Sequence, residues 1–338
     1  MPRAVRQRLL VHRLQQTLTR GRQQARHWMQ ESRGQGGVEA RPALAHAAEV
    51  RIAVYGEWAP PWMLTLGPAS ALWGALSGVS EVRHFLGPAT ELTRYAASDG
   101  PPVIVIPMLE PHALWVPDGL RFGVAPRAAI RLLGDKAAFA GFAAERFPNC
   151  VPAVWADPDA VCYPCMVKPA QSLGSEGIMV ATGRDELFNA LEQKWLAGER
   201  VLMQAQVAGT RERTLHAMCA AGQILWFQTF DKPNCLTPQL LTEADQEDIH
   251  LCSPDPGALD VLRRVVAELR YAGPLCMDYR MDGDALRIFE INPRFGGTLM
   301  KPRFEAQIRA ALSALLALRH ECHPSIADAP LTSTARAA

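Results

Sequence analysis

An acid, an amide and an arginine occupy every second position in the run FEINPRFGGT, residues 289–298. In a strand, alternate side chains share a face, so Glu290 and Asn292 would project together, and Arg294 with them if the strand continues past Pro293. Proline cannot donate to a strand ladder and therefore marks a strand end or edge. A solvated edge strand followed by a glycine turn would explain the same run, so the spacing alone leaves both interpretations open.

A second carboxylate comes from the segment just before this run. The two segments alternate in the same way and predict a hairpin with a three-residue loop at 283–285, which places Asp278 opposite Glu290. Cross-strand partners share a face, so Asp278, Glu290 and Asn292 would together present two carboxylates and an amide oxygen. Such hard oxygen donors suit Mg²⁺, which also takes water and substrate phosphate oxygens. A slip of one residue in the register would separate the set.

Two lysines and a glycine-rich loop further upstream are suited to phosphate. Lys168 ends an apolar strand in MVKPAQSLGSEGI, and backbone N–H groups of the following loop, at Gly174, Ser175 and Gly177, could wrap phosphate oxygens. Lys136, in LLGDK, lies where a helix begins, a position that already favours anions. The loop is not a Walker A loop, because its lysine precedes the glycines. A lysine followed by glycines is by itself a weak signal.

The elements that must position these residues follow an α/β pattern. The sequence predicts three apolar strands, which begin at Arg51 and span Val82–Phe85 and Val103–Ile106. They alternate with helical segments, one of them over Pro68–Val79, and this alternation indicates parallel pairing. Downstream, the sequence predicts helices at 135–147, 185–196, 256–271 and 304–318, and strands at 165–168 and 178–181, in VLMQAQV, TLHAMCA and QILWFQTF, and in the hairpin segments 277–281 and 286–292.

The composition is that of a globular protein with a real core. The 338 residues are 49% hydrophobic and 20% charged. A net charge of +1 gives no global field that would favour nucleic acid or a membrane surface. No apolar run reaches the length of a membrane span, and the first residues lack a signal-peptide core. Eight scattered cysteines favour reduced thiols and a cytoplasmic location.

The first 33 residues differ from the rest in charge, with eight arginines and one acid, Glu31. Apolar residues recur there at roughly helical spacing: Leu10, Leu14, Leu18, Ala25 and Trp28. The pattern predicts a basic amphipathic helix. It could dock on the body of the protein, bind a partner or an acidic surface, or act as a targeting segment; a poorly ordered extension is the alternative.

Taken in order, these motifs resemble those of the ATP-grasp superfamily. The resemblance rests on GDK, VKP, SLGSEGI, VLMQAQVAGT and Asp278 with FEINPRFGGT, and it spans about residues 51–317. It is greatest to the carboxylate–amine ligases, including the branch near the carbamoyl-phosphate synthetase large chain. Each motif is weak singly, whereas the ordered set is a strong signal.

The resemblance implies an α/β and α+β architecture. Residues 50–130 would form a pre-grasp α/β domain, and residues 131–322 an ATP-grasp domain whose two α+β subdomains clasp ATP. Residues 1–49 would be a basic helical extension and linker, and residues 323–338 a flexible tail.

The resemblance also implies a role for each site residue. Lys168 and Arg294 would be catalytic, with Arg294 on the acyl phosphate or the substrate carboxylate. Residues 172–177 would form a lid over the phosphates, and residues 204–207 the hinge that reads adenine. The residues implied to bind ATP are Lys136, Lys168, Ser172, Gly174, Ser175, Gly177, Gln204, Gln206, Val207 and Glu212, and those implied to hold one or two Mg²⁺ ions, or Mn²⁺, are Asp278, Glu290 and Asn292.

Two positions depart from the family pattern. Relatives commonly carry an acid in the hinge, where this chain has Gln204 and Gln206, although Gln204 could substitute for it. Relatives also often show an acid after the strand that begins at Thr214; here the residue is His216. We assign no role to His216 and expect a strand histidine with an ordinary hydrogen bond.

The implied function is an ATP-dependent ligase that joins a small-molecule carboxylate to an amine through an acyl phosphate. A phosphotransferase acting on a hydroxyl, or a non-catalytic ATP-binding regulatory module, would use the same nucleotide site. The intact metal set argues against the module. We expect no nucleic-acid or membrane partner; a homodimer is possible, and the N-terminal helix could dock a partner.

Two other signals have less specific interpretations. Cys162 and Cys165 form a CxxC pair that runs into a strand, and without a second pair at zinc spacing we expect strand packing. Trp58 and Trp62 follow the first strand, where α/β sheets bind ligands, so they would line a substrate pocket or pack against the lid.

Overall fold

The structure, a computed structural model, describes residues 3–34, 48–172, 176–233 and 247–318. The strands are β1 Val50–Tyr55, β2 Val79–Phe85, β3 Val103–Pro107, β4 Val154–Trp155, β5 Cys165–Pro169, β6 Met179–Ala181, β7 Val201–Ala205, β8 Arg211–Ala220, β9 Gln223–Pro233, β10 His250–Cys252, β11 Gly273–Asp282 and β12 Ala285–Asn292. The α-helices in these ranges are α1 Arg3–Gly34, α2 Pro60–Leu66, α3 Ala71–Gly74, α4 Ala89–Ala97, α5 Glu110–Trp115, α6 Arg127–Gly134, α7 Lys136–Arg146, α8 Arg184–Leu196, α9 Pro256–Glu268 and α10 Glu305–Ala317.

The first sheet is parallel, with the strand order β2-β1-β3. All six residues of β1 are buried, as expected for a central strand covered on both faces. The predicted helix over Pro68–Val79 is wrong, since only α3 is helical there. Ser70 caps α3 by accepting a hydrogen bond from the N–H of Leu72. The segment EWAPPW, residues 57–62, contains the start of α2, whose first turn holds Pro60, a residue pre-organised for helix starts.

The remaining strands form two antiparallel sheets with the orders β4-β7-β5-β6 and β10-β9-β8-β11-β12. One face of the five-stranded sheet packs against α6, α7 and α9 in the largest hydrophobic core. On β8 the core-facing residues are Leu215, Ala217 and Cys219, so the strand alternates between core and site faces. The predicted mixture of α/β and α+β layers is therefore confirmed.

The β11–β12 hairpin has a shorter loop than predicted. Asp282 pairs with Ala285, so the loop holds two residues rather than three. Gly283, the first of them, has a φ of +59°, a conformation that two-residue hairpin loops require and that glycine adopts without strain.

A β-bulge restores the predicted pairing. Asp278 pairs with Glu290 while Tyr279 pairs with Ile288, so Phe289 is an extra residue on β12. Bulges of this kind re-aim side chains next to active sites. The predicted Asp278–Glu290 pair is thus confirmed, although the loop length that suggested it is wrong.

Helix α1 packs along α6, α7 and β7. Leu10 and Leu14 are buried with residues of the four-stranded sheet, and Ala25 and Met29 belong to the largest core. The predicted basic helix is present and docked on the body. Residues 35–47 of the linker predicted at 34–49, and the predicted tail, lie outside the described residues. No described helix is long and apolar enough to cross a membrane.

Candidate active site

The site lies on the face of the five-stranded sheet that points away from the largest core. Cross-strand register places its residues in three adjacent rows. The rows are Lys232 with Glu212, then Thr214 with Asp278 and Glu290, then His216 with Cys276 and Asn292. Because side chains on one face alternate with core residues, a single register brings all of them together.

The predicted metal ligands are in mutual contact. The amide nitrogen of Asn292 lies 3.4 Å from Asp278 Oδ2 and 3.3 Å from Glu290 Oε1. Thr214 donates its hydroxyl proton to Asp278 Oδ1 at 2.6 Å. Burial raises the pKa of Asp278, and the nearby carboxylates of Glu212 and Glu290 raise it further against the opposing charge of Lys232. The cluster therefore concentrates negative charge in a buried place.

Glu290 is held in its charged form by two lysines. Its Oε2 lies 3.4 Å from Lys136 Nζ. Burial alone would raise the pKa of Glu290, but Lys136 and Lys168 outweigh it, so the pKa is lowered. The pKa values of these two paired carboxylates shift in opposite directions because two lysines lower that of Glu290, whereas two neighbouring carboxylates raise that of Asp278.

Lys168, the penultimate residue of β5, is buried and donates to Gln204 Oε1 at 2.7 Å. Burial lowers its pKa to about 8, although Glu290 opposes the shift. With a pKa of about 8, the Lys168 ammonium is charged at neutral pH. Lys168 lies on the strand that leads into the predicted lid.

Lys136 is the first residue of α7. Asp135 caps this helix by accepting hydrogen bonds from the N–H groups of Ala137 and Ala138. The Asp135 carboxylate also forms an ion pair with Arg200. Lys136 Nζ lies 3.3 Å from both the carbonyl oxygen and the hydroxyl of Ser172. Lys136 therefore contacts Ser172, the first residue of the predicted lid.

Sequence reasoning missed two cations beside Glu212. Lys232 Nζ lies 2.9 Å from Glu212 Oε1 and 3.4 Å from Asp278 Oδ1, and the Arg280 guanidinium lies 3.0 Å from Glu212 Oε2. Burial would lower the pKa of Lys232, but Asp278 and Glu212 outweigh it and raise the pKa. Lys232 is directly opposite Glu212, so its place in the alternation of β9 with β8 was the signal that could have found it.

Arg294 is present at the site although β12 ends two residues before it. Its Nε lies 2.9 Å from Glu110 Oε1, its Nη1 donates to the Phe295 carbonyl at 2.8 Å, and its Nη2 lies 3.5 Å from Asn292 Oδ1. Its guanidinium carbon lies 5.8 Å from the centre of the Trp62 ring. Trp62 is buried there, so of the two tryptophans it is the one that borders the site.

The lid and hinge are described only in part. Gly174 and Ser175 lie outside the described residues. Gly177 has a φ of +70°, and a Cβ there would lie 2.7 Å from Lys194 Nζ, so this position favours glycine. At the hinge, the Val207 carbonyl accepts a hydrogen bond from Arg280 at 2.7 Å, and the N–H of Gln206 donates to a loop carbonyl. The assignments of these residues to ATP stay predictions.

The expectation of an ordinary hydrogen bond for His216 is wrong for the part of the chain that is described. Both ring nitrogens are buried without a hydrogen-bond partner there. The ring packs edge-on against Phe230 at 5.2 Å, and a Cβ at Gly296 would lie 2.5 Å from its Cε1. Burial lowers the pKa of His216 to about 3, helped by Lys232 and Arg294. The imidazole is therefore neutral, and the sequence carried no signal of this.

The residues present fit Mg²⁺ better than a metal held by protein ligands alone. The described residues contain no group of three or more His, Cys, Asp and Glu side chains suited to a metal. Asp278, Glu290 and Asn292 instead offer two carboxylates and an amide, a set that Mg²⁺ completes with water and substrate phosphate. The raised pKa of Asp278 also reflects negative charge that a cation would offset.

Comparison with known proteins identifies the fold. Neither a protein-family model nor a curated protein matches the sequence significantly. Among solved structures, D-alanine–D-alanine ligase from Bacillus anthracis matches with a TM-score of 0.57 at 14% identity, over 80% of this chain and 96% of that one. L-amino acid ligase from Bacillus licheniformis matches with a TM-score of 0.56 at 15% identity, over 80% and 74%.

The Bacillus anthracis ligase complexed with ATP also matches, with a TM-score of 0.53 at 13% identity, over 80% of this chain and 98% of that one. Identities this low establish the fold and nothing finer. These neighbours are ATP-grasp ligases, and the present chain has the same fold.

Proposed function

We propose that the protein is an ATP-dependent ligase that activates a carboxylate as an acyl phosphate and joins it to an amine, releasing ADP and phosphate. The observation that carries the proposal is the contact between Lys136 Nζ and Glu290 Oε2 at 3.4 Å. It places a lysine that would bind phosphate beside the carboxylates that would bind the metal ion. The fold shared with carboxylate–amine ligases supports it.

The first step makes the carboxylate a better acyl donor. A carboxylate oxygen attacks the γ-phosphorus of ATP, the bond to the β-phosphate oxygen breaks, and ADP leaves. Such transfers need positioning and charge neutralisation more than a protein nucleophile. Lys136 and Lys168 would bind the phosphates, and Lys136 would exchange its contact with Glu290 for a phosphate oxygen.

Asp278, Glu290 and Asn292 would hold one or two Mg²⁺ ions, and Mn²⁺ would suit the same ligands. When bound, such an ion offsets the charge that develops on the transferring phosphoryl group. Thr214 and Lys232 orient Asp278 for this task through their contacts with Oδ1.

The second step forms the product bond. The amine nitrogen attacks the acyl carbon, loses a proton, and the tetrahedral intermediate collapses to expel inorganic phosphate. Arg294 would bind the carboxylate and then the acyl phosphate, since its guanidinium lies beside Asn292 at the end of β12. Residues 172–177 would close over the site and exclude water, which would otherwise hydrolyse the acyl phosphate.

The experiment is an ADP-release assay with ATP, Mg²⁺ and a library of carboxylates and amino acids, with hydroxylamine as a surrogate amine. ADP release that depends on a carboxylate and yields a hydroxamate supports the ligase. ADP release without hydroxamate, seen only with a hydroxyl compound, favours the phosphotransferase instead. ATP binding without turnover for any compound contradicts the ligase and favours the regulatory module.

A further inference from the structure

A cavity lies between α1 and α7, apart from the candidate metal ligands. Its volume is about 190 Å³, and its walls come from α1, α7, β7, β12 and residues within 148–154. Most of the lining is apolar, with Phe139 and Ile288 as the largest contributors, and among the described residues that line it only Arg22 and Gln204 have polar side chains. The candidate metal ligands do not line it, and of the described residues predicted to bind ATP only Gln204 does.

The crossing of α1 over α7 places Arg22 at this cavity. A Cβ at Gly141 would lie 2.9 Å from Arg22 Cγ, so the absence of a side chain at Gly141 lets the Arg22 stem lie against α7. Arg22 is exposed, and its guanidinium makes no ion pair with any described residue. Arg26, one turn further along α1, instead pairs with Glu145. A cation without an acidic partner therefore borders an apolar cavity.

The volume and lining of the cavity define the chemistry of a ligand that would fit. An apolar cavity of about 150 Å³ stays dry and holds benzene, so about 190 Å³ suits one six-membered ring or a branched chain of similar size. A guanidinium pairs with a carboxylate through two parallel hydrogen bonds. No second cation lines the cavity among the described residues, so a monoanion is a better match than a phosphate dianion.

Gln204 connects the cavity to the candidate nucleotide site. Its side chain is buried, it lines the cavity, and its Oε1 accepts a hydrogen bond from Lys168 at 2.7 Å. A molecule in the cavity would therefore contact the residue that holds the lysine predicted to bind phosphate.

We propose that the cavity is an effector site for a small monocarboxylate with an apolar body, about the size of benzoate. The apolar body lies against Phe139 and Ile288, the carboxylate pairs with Arg22, and occupancy changes nucleotide affinity through Gln204. Binding in the cavity does not depend on turnover, whereas the effect on nucleotide rests on the proposed function. The competing explanation is a packing void left where α1 crosses α7.

The test measures binding of benzoate, cyclohexanecarboxylate and 4-methylpentanoate to the full-length protein by calorimetry. Benzamide, which keeps the ring without the charge, and acetate, which keeps the charge without the apolar body, are the comparisons. We expect the best probe to bind at least about threefold more tightly than either comparison. Intermolecular NOEs from the bound probe to the methyl groups of Ile288 locate it in a methyl-labelled sample.

Two variants test the cavity itself. We expect Arg22→Gln to weaken carboxylate binding about three- to tenfold and to leave benzamide binding unchanged. Ala140→Leu adds three carbons at a buried position of the wall and should abolish binding of every probe. Circular dichroism and thermal melting check that both variants fold.

Two further variants are controls. Arg20→Gln is the same change at an exposed arginine of α1 that does not line the cavity, and it should alter no affinity. Arg294→Gln removes the arginine of the candidate active site and should leave probe binding unchanged. Loss of probe binding in Arg294→Gln, with wild-type binding in Arg22→Gln, would place the probe in the active site and overturn the proposal.

The effect on nucleotide is measured with a non-hydrolysable ATP analogue and Mg²⁺, with and without saturating probe. We expect the probe to change analogue affinity by at least about fivefold, and the analogue to change probe affinity by the same factor. Unchanged analogue affinity beside a bound probe rejects the effector role.

Absence of binding for every probe overturns the site, and so does wild-type probe affinity in folded Arg22→Gln and Ala140→Leu variants. A probe located in the cavity of a protein that binds no ATP analogue would reject the proposed function and keep the cavity as a binding site. Hydroxamate formation by a protein whose cavity binds no probe would keep the ligase and reject the effector site.

Discussion

At Glu290, two lysines keep the carboxylate ionised against the cost of burial. Replacing it by glutamine keeps the shape of the side chain and removes the charge that a metal ion and Lys136 would share. We expect Glu290→Gln to fold normally and to lose turnover by about two orders of magnitude or more. Circular dichroism and an ADP-release assay check this. A folded variant with wild-type rates would remove Glu290 from the metal set.

Lys168 gives the site a pH dependence of known sign. Burial lowers its pKa to about 8, so the ammonium is charged below that pH and neutral above it. If Lys168 binds the nucleotide phosphates, ATP-analogue affinity should fall as pH rises through about 8. We expect Lys168→Ala to bind the analogue about 10- to 100-fold more weakly and to lose that pH dependence. A variant with the wild-type affinity profile would show that Lys168 is not a phosphate ligand.

His216 makes the free energy of unfolding depend on pH in the acidic range, whereas Lys168 acts above neutral pH. Its folded pKa of about 3 lies below the value of 6.5 for an unperturbed histidine, so the unfolded chain binds more protons between these values. Stability is therefore lost as pH falls below about 6.5, by about 2 kcal/mol at pH 5. Urea unfolding of the wild type and His216→Gln at pH 7 and pH 5 measures this. An equal loss in both proteins would assign the acid sensitivity to other groups.

At the scale of elements, much of the site could be predicted because strand alternation fixes which residues share a face. The Asp278–Glu290 pair follows from the hairpin pattern. The loop is one residue shorter than predicted, but the extra residue at the Phe289 bulge restores the pairing, and the sequence reveals neither feature. Lys232 was missed because a register shift between Met218 and Cys219, which the sequence does not reveal, decides which residue of β9 lies opposite Glu212. Glu110 could not be predicted, because its contact with Arg294 depends on how distant elements pack.

The crossing of α1 and α7 gives a prediction about element packing. A Cβ at Gly21 would lie 2.6 Å from the backbone carbonyl oxygen of Ala137, in the first turn of the helix that presents Lys136. We expect Gly21→Leu to destabilise the protein by about 1–3 kcal/mol, since the two helices must separate. Gln23→Leu, an exposed position on the same helix, should change stability by less than about 0.5 kcal/mol. Urea unfolding compares the two; equal effects would contradict a close crossing.

At the scale of the whole molecule, α1 contributes residues to two hydrophobic clusters. Leu10 and Leu14 pack with the four-stranded sheet, which carries Lys168, while Ala25 and Met29 pack in the core beneath the acid cluster. The helix therefore spans both sides of the candidate nucleotide site. Its basic outer face remains a candidate for partner docking, but its apolar face is already occupied by the body of the protein.

We therefore expect removal of residues 1–34 to affect both the stability of the protein and nucleotide binding. It would expose apolar surface on both clusters and remove the contacts that α1 makes with β7, α6 and α7, so we expect a lower melting temperature and weaker ATP-analogue binding. Arg26→Ala, which only breaks an exposed ion pair with Glu145, is the control and should change stability by less than about 1 kcal/mol. If the truncated protein melts and binds nucleotide like the full chain, α1 is an independent extension whose function lies with a partner.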